Sequence, residues 1–369
     1  MGILNIQPSE RMEAPVLIAL AGTTGSGKTK TALEIALGMV DSPSEIGFLC
    51  TENHRGSLYS DTWKEERPKD YKFKLANFYA PFSPKRFAEA IKEFEEEGVK
   101  VLIIDTISHE WNGIGGCEDI AEQAVLNGKK MKDWIKAKSE HKRYFMRSLL
   151  YSKIHIICCV RAAEKTDFSD ATKPKSLGIK PQQEKNFMFE MLVSMMLSKQ
   201  GKVQEYIKDQ HELREAFLPN EKGYLGRHTG KAIIDWVKNG KKQSEAFIDA
   251  RQKCFDSAEK GIEKFRQDWI EITKNLSSED KENLLKMKDQ FKDIADAYDE
   301  QAKEEKEDDS SKVLTKAEIE ANRLIALIKG CTTTEQLQKL KEDSDLDKST
   351  TLPKSVHVSY FEKFEELSK

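Results

Sequence analysis

Gly22, Thr23, Thr24, Gly25, Ser26, Gly27, Lys28 and Thr29 follow the pattern G-x-x-x-x-G-K-[ST]. They lie between an apolar run at 16–21 and a stretch carrying Leu33, Ala36, Leu37 and Val40 at helical spacing. That placement constrains the fold, because such a loop works only between a strand and the helix that follows it. The glycines let the backbone curl until its N–H groups converge, and the helix N-terminus adds partial positive charge at the same point. The loop is therefore a candidate cradle for phosphates. Lys28 can reach the β- and γ-phosphates, and the Thr29 hydroxyl can ligate Mg2+.

Strand patterns at 46–50, 72–80, 99–104 and 154–160 alternate with helical ones, and Ser83-Pro84 opens one of the helices. Such alternation predicts an α/β fold with a mostly parallel sheet covered on both faces. Residues 191–197 and 203–207 read as a late hairpin, and 119–151 as a long lysine-rich helical stretch. The texture changes near 242, where apolar residues begin to recur every three or four positions. The expected division is an α/β domain over 1–242, a helical hairpin over 243–302, a charged linker over 303–312 and a small helical module over 313–369. In that module Thr332 and Glu335 form a candidate capping box.

Composition excludes several classes. No run of about 18 apolar residues exists to span a membrane, and the opening residues lack a basic n-region and a long apolar h-region. The six cysteines show no C-x-x-C spacing and fit a reducing, cytoplasmic compartment. With 60 basic and 63 acidic residues the net charge is −3, so any attraction to nucleic acid must come from a local patch.

The remaining candidates sit at strand ends. Asp105 closes the apolar run 101–104 and can hold Mg2+ beside Thr29. Glu52, directly after the run at 46–50, is the preferred residue to orient or deprotonate water, with Glu110 as its rival. Arg161 ends the run 154–160, where it can sense a γ-phosphate or simply be solvated.

The order of loop, Thr51-Glu52, Asp105-Thr106 and Arg161 resembles the RecA-like P-loop NTPase core. Residues 51–59 (TENHRGSLY), 80–91 (APFSPKRFAEAI), 101–116 (VLIIDTISHEWNGIGG) and 154–165 (IHIICCVRAAEK) look like a phage and prophage family of AAA-type ATP-binding proteins. That family is related to the RecA-like single-strand-annealing ATPases of phages. The resemblance covers about residues 14–240. It implies ATP and Mg2+ as cofactors, hydrolysis coupled to recombination or replication, and self-association into a ring or filament. It also implies a trans-acting Lys or Arg, for which Lys222 and Arg227 lie in the right region without the usual spacing. The segments after 242 resemble helical tails of phage recombination proteins, which implies a single-strand-binding protein or replisome partner.

Two loops are candidate contacts for single-stranded DNA: 108–118, with Trp111 and three glycines, and 162–186, with Lys165, Lys173, Lys175, Lys180 and Lys185. The helical stretch adds Lys129, Lys130, Lys132, Lys136, Lys138, Lys142, Arg143 and Arg147, although charge runs on helices are usually just solvated. Two other functions stay open: an ATP-switched adaptor such as a helicase loader, and a P-loop kinase.

Overall fold

The computed structural model describes residues 8–126, 131–167, 175–312, 324–325, 327–328, 331–343 and 354–367. Strand β1 (Leu17–Gly22) is buried along its whole length. Its side chains alternate between two apolar layers: Ile18 and Leu20 enter one, and Leu17, Ala19 and Ala21 the other. A strand sandwiched in this way reads as a continuous apolar run.

Helix α1 (Lys28–Met39) follows the phosphate loop. Then come β2 (Ile46–Cys50), β3 (Lys74–Asn77), α2 (Pro84–Glu96) and β4 (Val101–Asp105). Ser83 caps α2 by accepting from Arg86 N (3.4 Å), and Pro84 occupies the first turn, where its missing N–H costs nothing. The next segment breaks into α3 (Ser108–Asn112), α4 (Cys117–Leu126), α5 (Trp134–Glu140), a π-helical turn (His141–Met146) and α6 (Arg147–Leu150). The long helix expected over 119–151 is thus several short ones; Lys129 and Lys130 lie outside the described residues.

Strand β5 (His155–Asp167) is longer than the apolar run that announced it. Its first half pairs with β1 and β4, and its second half pairs antiparallel with β6 (Lys175–Pro181). The expected loop 162–186 is therefore largely a two-stranded ribbon, with Lys173 outside the described residues. After α7 (Phe187–Glu190), strands β7 (Val193–Ser198) and β8 (Val203–Lys208) form the late hairpin, and α8 (Arg227–Lys238) returns to cover the sheet.

The strand order is β3-β2-β4-β5-β1-β7-β8, with β6 attached to β5. All pairs are parallel except β7–β8 and the ribbon. On one face, Leu33, Ile35 and Ala36 of α1 and Ile233 and Val237 of α8 pack over Ile18, Phe48, Ile103 and Ile157. On the other, Phe87, Ile91 and Phe94 of α2 join Phe145 and Leu149 over Leu102, Ile104 and Ile156. This is the covered parallel sheet that the sequence predicts, and its register brings the C-terminal ends of β1, β2, β4 and β5 to one rim.

This first unit spans 6–248, and a second compact unit begins at 249. From there the chain forms the rest of α9 (Glu245–Ala258), then α10 (Ile262–Thr273), α11 (Ser278–Lys286) and α12 (Lys288–Lys312). Phe255 and Phe265 converge on Phe291, with ring centroids 4.8 and 5.9 Å away. Ser277 caps α11 by accepting from Asp280 N (3.1 Å). Residues 303–312, expected as a linker, belong to α12, as the helix propensity of a Glu- and Lys-rich run permits. Helices α13 (Thr334–Asp343) and α14 (Lys354–Leu367) follow. The cap of α13 falls one residue later than expected: Thr333 Oγ1 accepts from Gln336 N, and Gln336 Oε1 from Thr332 N.

Helices α1 and α8 cross at backbone contact. A Cβ on Gly230 would lie 2.0 Å from the Ile35 carbonyl oxygen, and one on Gly38 would lie 2.1 Å from that of Arg227. Gly230→Ala must push the helices apart. We expect a loss of about 1–3 kcal/mol, read as a lower urea midpoint; an unchanged midpoint would contradict this packing.

Candidate nucleotide site

The phosphate loop is shaped by its glycines. Gly25 and Gly27 take positive φ (77° and 97°), a region that L side chains avoid. At Gly22 a Cβ would meet Ser26 Oγ at 2.4 Å and the Leu197 carbonyl oxygen at 2.6 Å, so this position requires close approach rather than a special φ. Lys28 Nζ donates to the carbonyls of Gly22 and Thr23 (both 2.9 Å), which holds its ammonium over the mouth of the loop.

Thr29 Oγ1 donates to Asp105 Oδ2 at 2.6 Å. Thr29 lies in the helix that follows β1, and Asp105 ends β4, a strand separated from β1 by β5. The contact survives because Asp105 is the last residue of β4 and Thr29 the second of α1, so both project beyond the rim. Burial pushes the Asp105 carboxyl up to about 6, and the negative charge of Glu52 adds to the rise; the Thr29 hydroxyl, Lys28 and Arg161 oppose it. A metal ion beside Asp105 would favour its ionised form, and the Thr29 hydroxyl and Asp105 carboxylate offer oxygen donors that could hold Mg2+.

Thr51 fastens β2 to β4. Its Oγ1 accepts from Thr106 N (2.8 Å), and its N–H donates to the Asp105 carbonyl (2.9 Å). Thr106 Oγ1 donates to the Cys159 carbonyl (2.8 Å), and Arg161 N to Ser108 Oγ (2.9 Å). The rim is thereby stitched across three strands. The peptide bond between Asp105 and Thr106 is cis.

Glu52 and Arg161 meet on this rim. Arg161 Nε and Nη2 both donate to Glu52 Oε1, at 2.9 and 2.5 Å, and Arg55 reaches Oε2 at 3.3 Å. Burial alone would raise the Glu52 carboxyl, but the hydrogen bonds and charge of Arg161, helped by Arg55, hold it below its ordinary value. The turn that presents it contains Asn53 and His54 at positive φ (46° and 65°), an uncommon pair of left-handed non-glycine residues. Burial and the charge of Arg161 hold His109 below its ordinary value as well.

Glu110 lies elsewhere. It is fully buried, and its oxygens face Cys117 Sγ (3.2 Å), His141 Nδ1 (3.0 Å) and Gln183 Nε2 (3.2 Å). The structure therefore brings Lys28, Thr29, Glu52, Asp105 and Arg161 to one rim and sets Glu110 behind it.

A cavity of about 530 Å3 lies beside Gly27 and the first turns of α1. Gly27, Lys30 and Glu34 form one wall, and Gln200, Tyr224 and Arg227 the other. Arg227 donates to Glu34 (2.9 Å) and pairs with Glu66, so within this chain it is a wall of the cavity. Sequence reasoning missed this cavity, because only the tertiary fold brings residues near 200 and 224 against the start of α1. The bonding roles of Thr51, which directly precedes Glu52, and of Ser108, two residues before Glu110, were also missed.

Fold and rim together define a P-loop ATPase class of domain: a phosphate loop, a buried acid facing its threonine, and a covered parallel sheet. A protein-family model described as an AAA domain matches residues 14–213, more than half of the 369-residue chain. The chain belongs to this AAA-domain family. No curated protein matches it. Among the described residues, no helix is long and apolar enough to cross a membrane.

The Asp105 shift has a measurable sign. The folded chain holds the Asp105 proton more tightly than the unfolded chain. The resulting stability is fully present below about pH 4 and is lost as pH rises through about 6, a change of roughly 3 kcal/mol. Urea midpoints of metal-free protein measured across that range should fall less for Asp105→Asn than for the wild type. Parallel curves would contradict the assignment.

Proposed function

We propose that the chain is an ATPase that hydrolyses Mg2+-bound ATP on the rim described above and works on single-stranded DNA in recombination, annealing or replication. The observation that carries this reading is the continuity of β5. Arg161, which grips Glu52, is followed without a break by residues 162–167 of the ribbon. The ribbon and its base carry the exposed Lys165, Lys175, Lys180 and Lys185. A polyanion laid on the ribbon would pull on the same strand that holds the catalytic carboxylate.

In this mechanism the loop amides and Lys28 bind the triphosphate, and the cavity beside Gly27 and Tyr224 takes the nucleoside. Thr29 and Asp105 hold Mg2+, whose chemistry is to neutralise charge on the β- and γ-phosphates. Glu52 orients and deprotonates the attacking water once Arg161 turns from it to the γ-phosphate. Glu110 has no part in the reaction, because its oxygens are already engaged in the interior.

The α4–α5 lysines add less to a DNA surface than their number implies. Lys132 pairs with Glu118 and Glu122, and Lys136 lies 3.9 Å from Glu140. Trp111 stacks on Trp134, with centroids 5.5 Å apart and planes 14° apart, so it offers one face rather than two. The ribbon lysines are the better candidates. Assembly into a ring or filament, with the helices beyond 249 recruiting a single-strand-binding or replisome protein, completes the proposal.

Turnover in the presence of Mg2+ tests the site. Lys28→Ala should abolish it, and Glu52→Gln should lower kcat by about 10²–10⁴-fold while ATP still binds. If Glu110→Gln stalls hydrolysis in a folded protein and Glu52→Gln does not, the base is misassigned. A single-stranded oligonucleotide at low salt should raise ATP turnover, and Lys165→Glu with Lys180→Glu should remove that increase. Turnover indifferent to the oligonucleotide, with no binding, would remove DNA from the account.

A further inference from the structure

Behind the rim, three buried side chains of different chemistry meet. Glu110 Oε1 stands 3.0 Å from His141 Nδ1 and 3.2 Å from Cys117 Sγ. All three ligand atoms lie within 4.8 Å of one another. Glu110 and Cys117 are fully buried, and His141 is 3% exposed. The residues come from three separate elements: α3, the first residue of α4 and the first residue of the π-helical turn.

A carboxylate removed from water is paired with a cation, ligated to a metal or neutralised by a proton, and His141 is the one titratable base within reach of this one among the described residues. Among the described residues no Lys or Arg reaches Glu110; its other partner is the neutral amide of Gln183 (3.2 Å). The donor set is one thiol, one imidazole and one carboxylate, a combination that favours zinc over magnesium or calcium. Tetrahedral zinc with bonds of about 2.0–2.3 Å places neighbouring donors about 3.3–3.6 Å apart. The observed separations of 3.0 and 3.2 Å need only a small outward movement to admit the ion.

We propose that Glu110, Cys117 and His141 together bind a Zn2+ ion. On binding, Cys117 gives up its thiol proton to solvent. The thiolate and the Glu110 carboxylate together balance the two charges of the ion, and His141 ligates as neutral imidazole. The ion ties α3, which directly follows the Asp105 strand, to α4 and the π-helical turn. Gln183, at the base of the ribbon, joins the same centre through Glu110 and also donates to the Ile107 carbonyl (3.3 Å). The site thus braces the junction between nucleotide rim and ribbon, and it stands whether or not the chain acts on DNA.

The test uses the full chain, purified without chelator and assayed for metal by mass spectrometry. One zinc per chain is expected. Chelator-stripped protein should melt several degrees higher once Zn2+ is restored, and Co2+ in its place should show a thiolate-to-cobalt charge-transfer band. Cys117→Ser should lose the metal and the band, whereas Cys158→Ser, in the sheet core, should keep both. If wild-type protein carries no zinc, takes up no cobalt and melts at one temperature with and without Zn2+, the cluster is a hydrogen-bonded node and the proposal fails. That outcome is read on the wild type, so it does not depend on either variant folding.

Discussion

The hydrogen bond from Thr29 to Asp105 joins the two parts of the sheet that a phosphate site needs. One partner starts the helix that leaves the loop, the other ends a strand two places away, and β5 runs between them. Burying a carboxylate there costs stability unless something cationic lies beside it, and the raised Asp105 pKa records that cost. The surrounding Thr51, Thr106 and Ser108 bonds hold the strand ends in register, so the acid cannot retreat into water.

The intervening strand is also the route by which the site connects to the rest of the domain. Strand β5 begins in the core, passes the rim at Arg161 and ends in an exposed ribbon. Arg161 is bound to Glu52 by two hydrogen bonds, strong and charge-assisted, so any movement of the strand at that point is felt by the carboxylate. The buried centre around Glu110 braces the other side of the junction. A rigid base and a movable arginine are compatible roles for these two neighbouring clusters.

Much of this arrangement was legible in the residues. The phosphate loop is local, and its chemistry depends on eight consecutive positions. Asp105 and Glu52 lie where the apolar runs of β4 and β2 end, and Arg161 follows the apolar run of β5, although that strand continues beyond it to Asp167. The parallel sheet followed from strands alternating with helices. Strand order was not legible, because a run such as 154–160 carries no mark of which strands will flank it. The ribbon was missed because its Lys, Ser and Gly residues have low strand propensity and pair only through backbone bonds to β5. Glu110 in Ser-His-Glu-Trp-Asn reads as a rival to Glu52 for the base; its buried partners His141 and Gln183 are brought in by the fold from far along the chain. The cavity beside Tyr224 was hidden for the same reason.

The most direct measurement is a crystal structure of the full chain with Mg2+ and a non-hydrolysable ATP analogue. The account predicts density for the phosphates against the amides of residues 22–29, a metal at Thr29 and Asp105, and the base in the cavity beside Tyr224. A nucleotide bound away from that loop, or a loop left empty at saturating ligand, would contradict it.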